Sequence, residues 1–123
     1  MKAILTLILV AAFVPAFSQT GGLPEFDKTT FDFGKIKQGK PVSYDFLFKN
    51  KGTKSLIVED ATAECGCTTP EFEKTPIAKN KDSKIKVTYN AENLGVFKKK
   101  VTVKFAGIKE PVILTITGEV IAP

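Results

Sequence analysis

From Thr30 onward the chain alternates apolar and polar side chains with a period of two, the pattern of β-strands that bury one face. In VSYDFLFKN, Val42, Tyr44, Phe46 and Phe48 share a face, while Ser43, Asp45 and Lys49 take the other; Leu47 is the exception. TTFDFGKI pairs Phe31 with Phe33, and KDSKIKVTYNA aligns Ile85, Val87 and Tyr89. PVILTITGEVIAP aligns Val112, Leu114, Ile116 and Val120. VFKKKVTVKF aligns Phe97, Val101, Val103 and Phe105, but Lys99 falls in the same register. A lysine there predicts a strand end or a bulge that rotates it outward. The turns KQGKP, NKGTK, AENLG and AGIKE supply the breaks. No window has a sustained helical period, although NAEN allows a single helical turn. One apolar face per strand predicts an all-β fold, an antiparallel β-sandwich of about seven strands.

The beginning of the chain reads differently. Lys2 precedes an apolar run from Ala3 to Val14, Pro15 breaks it, and Ala16 and Ser18 present small residues. This is the build of a signal peptide over 1–18, cleaved near Ser18–Gln19. The run is too short for a membrane span, which needs about 20 residues. The expected organisation is a leader over 1–18, a short lead over 19–29 and one sandwich domain over 30–123. The mature chain is expected to be periplasmic or extracellular, with no membrane span.

Charge narrows the partners. The net charge is +5, and all 18 basic residues are lysine. Arginine, the usual bidentate reader of guanine and phosphate, is missing. The lysines are scattered along strands, where they solvate the surface and guard sheet edges. Nucleic-acid binding is therefore not expected. Histidine is absent as well. That rules out a Ser-His-Asp or Cys-His arrangement and any His-ligated zinc site.

Several segments resemble one family. FDFGKIKQGKPVSYDFLFKNKGTKSLIV, CGCTTPEF, PIAKN, IKVTYNA, GVFKKKVTV and VILTITGEV are similar to the family called domain of unknown function 1573. The likeness runs from about Thr30 to Val120. Its most specific element is C-G-C-T at residues 65–68, followed by F-x-F-G at 31–34; Pro76-Ile77 and Gly95 also fit. One small departure is AKNKD, where the family often has Pro-Gly; Asn80 and Asp82 serve a turn equally well. The resemblance implies an immunoglobulin-like sandwich, similar to Hydin-like and major-sperm-protein-like domains, in an exported bacterial protein. It implies no reaction and no cofactor.

The two cysteines, Cys65 and Cys67, flank Gly66. If the strand from SLIV continues through them, Ala61, Ala63, Cys65, Cys67 and Thr69 share one face. Buried free cysteines behave as small hydrophobes. Residues two apart in a strand are about 6.6 Å apart, so a disulfide needs a kink, which Gly66 permits. Closing a loop of about three residues contributes roughly 1.6 kcal/mol in the chain-entropy account, so a stabilising staple explains the spacing poorly. The leading expectation is a structural turn with the sulfurs packed beneath a sheet or weakly paired, and with Gly66, Gly34 and Gly95 as turn or kink positions. The alternatives are thiol–disulfide exchange, which needs an accessible thiolate, or binding of Cu(I), a soft ion. Glu64 is the nearest charge and opposes a thiolate; Lys74 helps only if folding brings it near. Glu59, Asp60 and Glu64 read as solvated charges, too few for a calcium loop. Function is therefore expected to be non-enzymatic, with a protein or cell-envelope partner met through end loops or a sheet edge.

Overall fold

The computed structural model describes residues 23–123; the expected signal peptide lies outside the described residues. Eight strands follow in order: β1 (Pro24–Phe26), β2 (Thr30–Lys37), β3 (Val42–Asn50), β4 (Val58–Ala63), β5 (Thr68–Phe72), β6 (Asp82–Tyr89), β7 (Gly95–Phe105) and β8 (Val112–Ile121). They form two four-stranded sheets, β1-β3-β6-β5 and β2-β8-β7-β4. The all-β sandwich expected from the alternation is the fold. One pairing departs from antiparallel: β2 runs parallel to β8, with Phe31 beside Ile116 and Ile36 beside Val120.

The count exceeds the expected seven because the short lead contributes β1, which pairs antiparallel with the end of β3. The Gly/Pro content of the lead masked a three-residue strand whose Phe26 packs on Phe48, ring centroids 4.8 Å apart. The helical turn allowed at NAEN is absent; Ala91 is fully buried in the left-handed region (φ 56°) within the β6–β7 connection.

The core lies between the sheets. Phe46, Phe48, Ile85 and Val87 face Val101, Val103, Phe105, Leu114 and Ile116, all essentially inaccessible to water. Burying each of these side chains contributes about 1.5–3 kcal/mol. Tyr44 stacks on Phe31 with centroids 3.8 Å apart, joining the sheets near the β2 edge. Leu47, the outlier of β3, is exposed as its phase requires.

Two glycines earn their positions by backbone conformation. Gly34 (φ 71°) sits where the β2–β8 register shifts between Asp32 and Lys35. Its N–H donates to Asp32 Oδ1 at 2.9 Å. Gly95 (φ 113°) starts β7 after the turn. Neither conformation suits a side chain. Gly66 lies outside the left-handed region and has open space where a Cβ would go, so the bend between the cysteines does not depend on glycine's freedom.

Candidate functional site

The chain crosses from one sheet to the other between β4 and β5, and the crossing is Glu64–Cys67. The strand expected to run straight through the cysteines therefore stops at Ala63. Alternation survives as far as Cys67: Ala61, Ala63, Cys65 and Cys67 are half-buried, while Thr62, Glu64 and Gly66 are exposed. The turn then reverses the phase, so that Thr68 is buried and Thr69 exposed, contrary to the straight-strand expectation.

Cys65 and Cys67 form a disulfide, with Cα atoms 5.3 Å apart. That separation lies within the usual range for the bond, and it is reached because the backbone turns here. The pair is half-exposed at one end of the sandwich: of the two expected arrangements the sulfurs are paired, and Cys67 also packs against the core. Backbone hydrogen bonds hold the turn from three sides. Asn90 N–H donates to Cys67 O at 2.9 Å, Glu64 N–H to Lys100 O at 3.3 Å, and Thr68 N–H to Cys65 O at 3.4 Å. The Thr68 hydroxyl reaches both sulfurs, 3.8 Å from Cys65 Sγ and 3.5 Å from Cys67 Sγ. Thr68 is 3 % exposed, so this hydroxyl is positioned by the sheet rather than by solvent.

The charges around the turn differ from those expected. Glu64 turns its carboxylate outward, where Oε1 accepts from Lys100 N–H at 3.0 Å. Lys74 follows β5 beyond Phe72, at the opposite end of that strand from the cysteines. The residue that sequence reasoning missed is Lys99. β7 pairs with β8 without a register shift from Gly95 to Val103, so no bulge rotates Lys99 out, and it stands mid-strand, half-buried. Ala63 is the cross-strand partner of Val101, and the Glu64–Lys100 hydrogen bond carries that antiparallel register one step further. Lys99 is the next inward residue of β7 beyond Val101, on the stretch of the strand past the β4 pairing. The signal was present in the misplaced lysine of VFKKKV, but its place past the end of β4 was not readable without the register.

The neighbouring inward positions are Phe97 and Tyr89, stacked at 4.0 Å. Tyr89 also pairs with Thr68 across β5 and β6. Burial pushes its phenol above the ordinary value, keeping it neutral. Among the described residues no group of three His, Cys, Asp or Glu side chains gathers to hold a metal ion. Nor is any helix there long and apolar enough to cross a membrane.

The sequence matches the family described as "Protein of unknown function (DUF1573)" over residues 24–120. The chain belongs to the DUF1573 family. The match begins at β1, so the family unit includes the strand that the sequence pattern left in the lead. Among curated proteins none matches the sequence. Solved structures share the fold of this DUF1573 chain at low identity. A protein of unknown function from Porphyromonas gingivalis W83 aligns with a TM-score of 0.69 at 16% identity. That alignment covers 85% of this chain and 50% of the other, so the chain spans about half the length of that protein. The ASH/PapD-like domain 7 of human CEP192 aligns with a TM-score of 0.74 at 11% identity, covering 94% of this chain and 98% of that domain. The Vibrio cholerae VesB protease aligns at 0.62 and 15% identity, over 78% of this chain but 31% of the protease. These likenesses establish an immunoglobulin-like, PapD-like sandwich and carry no activity with them.

Proposed function

We propose that the protein is an exported, immunoglobulin-like binding module that takes an extended polypeptide along the start of β7. The carrying observation is an incomplete sheet edge. β4 pairs with β7 only from Val101 onward, whereas β7 continues back to Gly95 with β8 on its other side. Lys100 directs both N–H and C=O toward the β4 side. Residues two apart in a strand point their backbone groups the same way, so Val96 and Lys98 aim theirs at the uncovered edge. Such an edge accepts an added strand by main-chain hydrogen bonds.

Apolar surface accompanies it. Val96 is 82% exposed and Leu94 59% exposed. Val96 also borders a shallow groove of about 340 Å³ shared with Asp32, Gly34, Lys35, Thr117, Gly118 and Glu119. An extended polypeptide suits this combination better than a folded carbohydrate or a nucleic acid, because the edge offers backbone donors and acceptors beside greasy side chains. Export rests on the expected leader; the test is an intact mass of protein recovered outside the cytoplasm, expected to start at Gln19, and a mass that retains residues 1–18 counts against it.

The binding test starts from peptides selected on the purified domain. Lys98→Pro removes the N–H aimed at the edge, and Val96→Asp removes the apolar contact while leaving the backbone intact. Each is expected to weaken the selected peptides at least about tenfold, with Lys104→Ala as an unaffected control. Unchanged affinity in both variants, with the fold intact, refutes this edge as the binding surface.

A further inference from the structure

We infer that Cys65–Cys67 is a thiol–disulfide exchange site for protein dithiols, with Cys65 as the exchanging sulfur, Cys67 as the resolving sulfur and Lys99 as a positioning residue. The inference stands apart from the binding surface on β7. It starts from what the bond does for the fold. Its cysteines are separated by 2 in sequence, so the cross-link removes little disorder from the unfolded chain, about 1.6 kcal/mol for three residues. The sheets meanwhile hold the turn through Asn90, Lys100 and Thr68 backbone contacts that do not involve sulfur. Opening the bond therefore leaves the scaffold in place, with both sulfurs still side by side.

The two sulfurs are not equivalent. Cys67 packs against the hydrophobic core, whereas Cys65 is not among the residues in that contact. Cys65 and Cys67 are only half-buried, so the turn is open in part to solvent and to a partner. Lys99 is the next inward residue of β7 past Val101, whose cross-strand partner Ala63 lies two residues before Cys65, so the lysine stands on the strand that the turn leaves. A cation there favours a thiolate. The buried Thr68 hydroxyl lies within donor reach of either sulfur. A disulfide sulfur has no proton to give, so Thr68 is the donor.

The exchange balances as follows. A thiolate of the partner attacks Cys65 Sγ; the Cys65–Cys67 bond breaks, and Cys67 leaves as a thiolate that accepts from the Thr68 hydroxyl. The partner's second thiolate then attacks the partner sulfur of the mixed disulfide, and Cys65 leaves as a thiolate. Both cysteines take protons from water. Two electrons pass from the partner, whose dithiol becomes a disulfide, to the protein, whose disulfide becomes a dithiol. Run backward, the same steps reduce a partner disulfide.

Among the described residues, the titratable groups on the elements that meet the turn include Lys99 and Lys100 from β7, Glu64 turned outward on its own segment, and Tyr89 from β6, whose phenol burial raises. The test mixes the oxidised full-length mature protein with a reduced dithiol peptide and follows thiols by alkylation and intact mass. One equivalent of peptide is expected to be oxidised per protein reduced, with an unchanged far-ultraviolet dichroism spectrum. Cys67→Ser is expected to trap a mixed disulfide with oxidised glutathione at Cys65, and Cys65→Ser to trap little at Cys67. In reduced protein, Lys99→Met is expected to slow Cys65 alkylation at neutral pH about threefold, since a tenfold loss of thiolate is partly offset by higher nucleophilicity. It also moves the pH profile upward, and Lys99→Arg restores it. Thiols that resist alkylation until unfolding, or a bond that the dithiol peptide does not open, overturn the exchange site. An unaltered alkylation profile in Lys99→Met overturns the role of Lys99.

Discussion

The two ends of the sandwich handle polar atoms in opposite ways. At the end of β3, Asn50 is completely buried and fully satisfied. Its Nδ2 donates to Lys54 O and Ile77 O, each at 2.8 Å, and its Oδ1 accepts from Gly52 N–H at 2.9 Å and Leu23 N–H at 3.3 Å. Its backbone is paired too, with Lys81 O and Asn80 N–H. One side chain thereby ties the lead, the β3–β4 loop and the β5–β6 loop together. At the opposite end, the cysteine turn is half-exposed, and its side-chain partners are a hydroxyl near two sulfurs. A buried amide with every group paired cannot exchange partners without cost, and so it holds structure. A polarisable bond at the half-exposed surface, with a hydroxyl donor beside it, is the kind of group that can change partners.

Breaking the first end is expected to have the largest effect. Asn50→Ala takes a partner from four backbone groups, of which Ile77 O keeps Leu56 N–H, and is expected to destabilise the domain by about 3 kcal/mol in denaturant unfolding, since each unsatisfied buried group costs about 1–3 kcal/mol. A loss below about 1 kcal/mol would mean that water or loop rearrangement replaces the amide, and the contrast between the ends would weaken. The Cys65→Ser, Cys67→Ser double variant is expected to lose no more than about 1.6 kcal/mol, with the same spectrum. A loss matching Asn50→Ala would make the disulfide a structural staple after all. The smallest effect concerns Tyr89, beside the turn. Its raised phenol means that the unfolded chain ionises first as pH climbs. Its contribution is therefore complete below about pH 10 and is lost above it. Tyr89→Phe should flatten that part of the stability profile between pH 9 and 11 relative to the parent, a difference read by parallel unfolding curves.

Much of this was legible in the order of residues. Phe46, Ile85, Val101 and Leu114 announced their burial by alternation, and the two-sheet architecture followed. C-G-C-T and F-x-F-G pointed to the family before any coordinates. Other features were not legible, for identifiable reasons. β1 is three residues long, too short for a periodic signal, and exists because β3 offers it an edge. Asn50 reads as a turn residue, and only the convergence of two distant loops buries it. Lys99 looked like a flaw in a strand pattern.

The sequence alone determined which faces go inward, because transfer of apolar surface from water acts on each strand locally and needs no knowledge of partners. It also set the chemistry available: two thiols, many lysines, no imidazole. Tertiary structure decided what those groups meet. The unbroken β7–β8 register kept Lys99 on the inward face past the end of β4, the crossing between sheets bent the chain enough to join the sulfurs, and the early end of β4 left the start of β7 uncovered. Register and crossings depend on how whole strands pair across long stretches of chain, and no local pattern of side chains encodes the identity of the neighbour.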